Sequence, residues 1–196
     1  MALQIYPREN AFKSGSTGDT LLDYLRSNSA ALELDSAAAF CNFPLFREED
    51  VLLAAQIVLI SPAHGIVLIS TAEQLPTSDG NAKATKIALD GTFSQVFSRL
   101  IKYPRLRRNR TTLLPNIDAF LWIPELNDDG ADLEQDAVVG LAALGTRLDQ
   151  NKLPALLDEE VFNELVSVID GSKALIRPPE RIVAPFGATS KVAQIQ

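Results

Sequence analysis

Apolar residues fall along this chain in blocks whose spacing marks the elements. The stretch "QIVLISPAHGIVLISTAEQ" (56–74) contains two uninterrupted apolar runs, 57–60 and 66–69, joined through Ser61, Pro62, Ala63, His64 and Gly65. Short apolar runs bounded by turn residues are strands covered on both faces, so this hairpin is expected at the centre of a sheet. Ahead of it, Ser16 and Thr17 are capping candidates for a first helix whose Leu21, Leu22 and Leu25 share one face. "SAAAFCNFPLF" (36–46) reads as extended, with Pro44 suited to an edge or an end, and an acidic "REED" turn leads into the apolar run 51–60.

After the hairpin, residues 76–92 are polar and contain glycine, which predicts a loop with a short helical piece. In "FSQVFSRLIKY" (93–103), Phe93, Val96, Phe97, Leu100 and Ile101 form a helical stripe. "IDAFLWIP" (117–124) is a further strand, stopped by Pro124, with Trp122 in its core-facing row. Residues 136–149 and 158–170 read as two amphipathic helices opened by acids. The order helix, three strands, helix, strand, helices predicts a three-layer α/β fold with a mixed central sheet. Short turns give antiparallel pairs, and a helical crossover lets the next strand add in parallel. One domain is expected over 1–175. The proline-rich 176–196 is expected to be a linker or tail, leading to a module that this chain does not contain.

The chain has 196 residues, enough for a core that buries about 70% of the unfolded surface. With 46% hydrophobic and 22% charged residues it falls among globular chains rather than disordered ones. No apolar run is long enough to span a bilayer and none resembles a secretory signal, so no membrane partner and a cytoplasmic location are expected. Cys41, between Phe40 and Phe43, is the single cysteine and His64 the single histidine. That excludes an internal disulfide and a Cys/His zinc site, and leaves Cys41 as a small core residue and His64 as a solvated turn residue.

Net charge is −7, which disfavours general nucleic-acid binding, but its distribution is uneven. "KYPRLRRNR" (102–110) concentrates Lys102, Arg105, Arg107, Arg108 and Arg110 with no acid. Arginine forks suit phosphates, and Tyr103 is a candidate for stacking on a base. The plainer alternatives are a solvated loop, or arginines docked on an acidic surface of this or another protein. Two look-alikes carry less. "GATSK" (187–191) lacks the second glycine and the full spacing of a phosphate loop, and "ELNDDGADLEQD" (125–136) has Asp132 where a calcium loop has an apolar residue, so the first is dismissed and the second reads as a solvated acidic loop.

Several positions nevertheless follow a known pattern. Gly18 and Asp19 open the first helix, Gly65 ends a small turn, Gln95 lies on the later helix, and "IDAFLWIP" follows it. In this the chain resembles the nuclease-related domain (NERD) branch of the PD-(D/E)xK superfamily, whose core order is helix, three strands, helix, strand, and whose members often precede bacterial DNA helicase modules. The resemblance implies a site built from an acid on the middle strand and a Glu-x-Lys on the third. Here those positions fall on Gln56, Ser70 and Ala72. Glutamine, serine and alanine do not supply the two carboxylates that hold Mg²⁺ or the lysine that steadies or deprotonates the attacking water. Glu73, one residue later, is expected on the opposite face from Ala72.

The implied function is therefore a non-catalytic, nuclease-like accessory domain of a DNA helicase-type protein. It would use no cofactor of its own and would position DNA, or a partner, through Lys102, Arg105, Arg107, Arg108 and Arg110. The ATPase would be a separate module, in the same or a partner chain. One alternative is a divergent metal-dependent nuclease, in which Asp19, Glu73 and an acid of "EED" (48–50) bind Mg²⁺. The other is a protein-interaction or oligomerisation module without DNA contact.

Overall fold

The computed structural model describes residues 3–6, 11–48, 51–75, 79–126 and 138–171. Six strands form one sheet in chain order: β1 (Gln4–Tyr6), β2 (Ala38–Glu48), β3 (Val51–Ser61), β4 (Gly65–Thr71), β5 (Ile117–Ile123) and β6 (Val138–Gly140). The pairs β2/β3 and β3/β4 are antiparallel, whereas β1/β2, β4/β5 and β5/β6 are parallel. Four helices complete the described fold: α1 (Thr17–Ser27), α2 (Asp79–Leu100), α3 (Leu144–Gln150) and α4 (Glu159–Ile169). The order α1, β2, β3, β4, α2, β5 is the one the sequence pattern predicts.

Strand alternation sorts the core into two halves. Ala39, Cys41, Ile57, Leu59, Val67, Ile69, Phe120 and Trp122 face α1 and α3, which contribute Leu21, Leu22, Leu25, Leu144 and Leu148. Ala38, Phe40, Val58, Ile60, Ile66 and Leu68 face the other way, against Val96 and Leu100 of α2 and Leu165, Val168 and Ile169 of α4. The result is three layers with the β3/β4 hairpin central and covered on both sides. Burial pushes the Cys41 thiol up to about 11, so it stays a neutral core group.

Ser16 caps α1 as expected, its Oγ accepting from the Asp19 N–H at 3.3 Å. Asp158 does the same for α4 through the Val161 N–H at 2.8 Å. Pro44 lies beyond Phe40, where β1 stops pairing with β2, so its missing N–H leaves no gap in that ladder. The register of β2 against β3 shifts between Pro44 and Phe46.

Several expectations change. Most of 76–92 belongs to α2, which starts at Asp79 and runs for 22 residues. Alanines at 82, 84 and 88 favour helix, and Leu89, Val96 and Leu100 anchor it, which outweighs the cost of Gly91. The helix expected over 136–149 is shorter: Val138–Gly140 is a strand beside β5, and helix begins only at Leu144. Two valines suit the sheet, and a Cβ on Gly140 would stand 2.8 Å from the Leu126 carbonyl oxygen. β1 has no counterpart in the sequence reading, since three residues carry too little pattern. "GATSK", the tail 172–196 and most of the acidic loop 125–136 lie outside the described residues.

Candidate functional site

Two places hold the residues singled out from sequence, at opposite ends of the sheet. At the end where β4 stops, a cleft of about 820 Å³ opens between the start of α1 and the strand ends. Lys13, Ser16, Gly18, Asn42, Gln56 and Glu73 are among the residues that line it. It occupies the place where the resemblance puts a metal.

The side chains there are committed to local structure. Gln56 precedes Ile57, the first β3 residue paired with β4, and its Oε1 accepts the backbone N–H of Thr71. It thereby replaces a ladder bond that the sheet has ceased to make. The Asp19 carboxylate accepts from the Gly15 N–H at 2.9 Å, closing the turn into α1 as in a capping box, and it is not among the cleft liners. Gln95 on α2 is half-buried and does not line the cleft either. Ala72 and Glu73 both line it, contrary to the expectation of opposite faces, because β4 ends at Thr71 and alternation ends with it.

Glu73 is therefore the single carboxylate among these liners, and the pair needed for Mg²⁺ is not assembled there among the described residues. Among the described residues, no group of three or more His, Cys, Asp or Glu is placed to hold a metal ion. Of "EED", Glu48 ends β2, while Glu49 and Asp50 lie outside the described residues.

The basic run lies at the other end, just before β5 begins beside Ile66. Parallel pairing of β4 with β5 separates it from the cleft by the length of the strand, roughly 20 Å. It is a built turn rather than a loose loop. Pro104–Leu106 forms a 3₁₀ turn, Leu106 and Leu113 are buried, and Arg107 bridges Leu113. The Arg108 N–H donates to the Thr112 carbonyl at 2.9 Å, and Asn109 Oδ1 accepts from the Thr111 N–H at 2.9 Å. This anchored hairpin holds Arg108 and Arg110 out in solvent, with Lys102 also exposed.

Arg105 behaves differently. Its guanidinium lies 3.3 Å from Glu160 and 3.9 Å from Glu164 of α4, so it docks on an acidic surface of its own chain. Tyr103 packs half-buried against the α2/α4 half of the core.

The turn between β3 and β4 overturns one expectation outright: His64 is fully buried rather than solvated. Residues 151–157 cross over it as a strap, the Leu153 N–H donating to Ala63 O at 2.7 Å and the Leu157 N–H to Pro62 O at 2.9 Å. His64 Nδ1 lies 3.1 Å from Ser61 Oγ, which also accepts from the Ala63 N–H, while Nε2 has no partner among the described residues. A hydroxyl beside an imidazole can make a nucleophile and base. Here both are sealed from substrate, and the pair locks the turn. Burial lowers the His64 pKa, and nearby Lys152 lowers it further, so the ring is neutral.

Three arrangements had no sequence signal. Lys13 and Asn42 reach the cleft by folding alone. Arg147 of α3 grips Asp118 of β5 bidentately at 2.8 and 2.7 Å, 29 residues away. The apolar residues of the strap reach the surface beside Arg108.

The fold and these two places define a three-layer α/β protein with a mixed six-stranded sheet. The chain matches no family model, no curated protein and no solved structure. Among the described residues, no helix is long and apolar enough to cross a membrane.

Proposed function

We propose that this chain is a non-catalytic, nuclease-like accessory domain that positions DNA for a helicase-type ATPase module in the cytoplasm. The observation that carries the reading is Gln56: where a nuclease of this type needs a carboxylate, the side chain instead closes the sheet by accepting the Thr71 N–H. A neutral amide already accepting from the backbone brings no negative charge for a metal, and Glu73 alone cannot replace the pair. DNA contact rests on the anchored hairpin, whose Arg108 and Arg110, with Lys102, are exposed on a chain of net charge −7. Arg105 is left out of this set because it serves α4.

The test is fluorescence anisotropy of labelled duplex and single-stranded DNA, titrated with salt, for the native chain and a variant with Lys102, Arg108 and Arg110 changed to alanine. Binding should weaken steeply with salt. For duplex DNA, the variant should lose affinity and flatten the log–log salt slope by about 0.9 per lost phosphate contact. No binding at low salt would end the DNA reading. Cleavage of DNA that needs Mg²⁺ or Mn²⁺ and stops with EDTA would restore the nuclease alternative.

A further inference from the structure

The strap over the β3/β4 turn is irregular chain rather than helix or strand, and it bonds to the turn at Leu153 and Leu157. Between those points Pro154, Ala155 and Leu156 are exposed. On its outer side the strap lines an apolar groove of about 200 Å³ beside Arg108. The helices at its two ends are anchored elsewhere: α3 by Leu144 and Leu148 on one face of the sheet, α4 by Leu165, Val168 and Ile169 on the other. The strap can therefore lift while both helices stay packed.

Beneath it lies the buried His64, its Nδ1 3.1 Å from Ser61 Oγ and its Nε2 without a protein partner among the described residues. Protonation makes both ring nitrogens donors. Nε2 would then carry a buried N–H, and a share of positive charge, with no protein group to receive it. The charged groups facing the ring are Lys152 of the strap, Glu33 after α1 and Asp149 at the end of α3. Lys152 opposes the added charge. Glu33 and Asp149 favour it, but both are drawn to the Lys152 ammonium, Glu33 by a hydrogen bond and Asp149 at 3.9 Å. Lifting the strap lets water relieve the charged ring. It also hydrates Asn151 Nδ2 at the strap's start, likewise buried without a protein partner among the described residues.

We infer that the strap is a proton-released cover: in a mildly acidic medium His64 takes up a proton and residues 151–157 lift from the turn, while the sheet, α3 and α4 stay folded. Lifting uncovers Ser61 and His64 and takes apart the groove beside Arg108. The solvated ring of the open state binds a proton at the ordinary value of 6.5, and the covered ring only below it, since burial and Lys152 disfavour the charge. Opening therefore grows as pH falls below 6.5 and levels off beneath the lowered value of the covered ring.

The experiment is amide hydrogen exchange on the native chain from pH 7.5 to 5, with each rate divided by its intrinsic rate at that pH. Protection at Leu153 and Leu157 should fall below pH 6.5, by at most about tenfold per pH unit for one proton. The amides of the β3/β4 ladder should stay better protected at every pH. In His64→Gln the fall should vanish. Lys152→Met, at an exposed position, removes the cation beside the ring and should shrink it, which keeps the test open if His64→Gln does not fold. As the single histidine, His64 also reports through its own NMR ring signal, which should titrate below 6.5.

Strap amides that exchange only together with the ladder, with equal protection, would overturn the inference, because the cover would then open only by global unfolding. So would a pH dependence that persists in His64→Gln or is undiminished in Lys152→Met, or a ring that titrates at or above 6.5.

Discussion

The two ends of the central sheet are built on opposite terms. At the end where β3 turns into β4, Ser61, Ala63, His64 and Gly65 are all buried, and a strap from 151–157 is bonded over them. At the other end the strands open into a wide cleft whose side chains satisfy neighbouring backbone groups one at a time. The resemblance places chemistry at the open end, yet the tight end carries the exposed Lys102, Arg108 and Arg110 and the groove. Helix caps and strand ends hold the shape of that cleft without a cluster of carboxylates among the described residues.

If this contrast is right, substitutions at the tight end should cost far more stability than those at the open end. The largest effect is expected from Gly65→Ala. Gly65 has φ +77°, and an added Cβ would stand 2.8 Å from the backbone nitrogen of Asn116. Backbone strain and a clash with the backbone of Asn116, just before β5, should together cost about 3 kcal/mol or more in urea unfolding. A loss under about 1 kcal/mol would mean that the turn is not held tightly.

Arg147→Met comes next. It removes the guanidinium that grips Asp118, whose side chain is 13% exposed, and leaves that carboxylate unpaired. About 2 kcal/mol should be lost, and a second change, Asp118→Asn, should recover part of it. A double-mutant cycle with no coupling would remove the pair from the account.

His64 makes a prediction about pH. Its folded pKa lies below the ordinary value of 6.5, because burial and Lys152 disfavour the charged ring. In the unfolded chain the ring binds a proton below about 6.5, so the unfolded state then holds more protons than the folded one. Stability is fully present above that value and falls as pH drops through the lowered folded pKa, at no more than about 1.4 kcal/mol per pH unit for one proton. Unfolding measured from pH 7.5 to 5 should show this slope and His64→Gln should flatten it. Glu33, paired with Lys152, has its pKa lowered, so its contribution is present above the carboxylate value of 4.5 and fades only below it, outside this window.

At the open end, Gln56→Ala should cost about 1 kcal/mol, the worth of one hydrogen bond to the half-buried Thr71 N–H. It should leave DNA affinity unchanged. Glu73→Ala should lie within about 0.5 kcal/mol of the native chain, since the residue is exposed and the cleft does not depend on it. A fall in stability there that depends on added Mg²⁺ would break the comparison, because it would reveal a working metal site.

Legibility followed the range of the interactions. The central hairpin, the α1 cap, α4 and β5 were read correctly because each is declared by a local pattern: unbroken apolar runs, Ser16 before an apolar stripe, Asp158 before another, and a strand stopped by Pro124. What failed to show was anything set by contact across the chain. His64 looked solvated because a strap nearly 90 residues later covers it. Glu73 looked turned away because the end of a strand is not written in its alternation. Arg105 looked equivalent to Arg108 until α4 claimed it.

The sequence by itself therefore determined the layers and the order of the core elements, because periodicity acts within a few residues. Only the tertiary structure decided that Arg105 pairs with α4 while Arg108 makes no ion pair among the described residues, that the cleft and the basic hairpin stand at opposite ends of the sheet, and that the strap forms a groove. Those outcomes depend on which distant segments meet, and burial, pairing and charge at a residue are set by what arrives beside it.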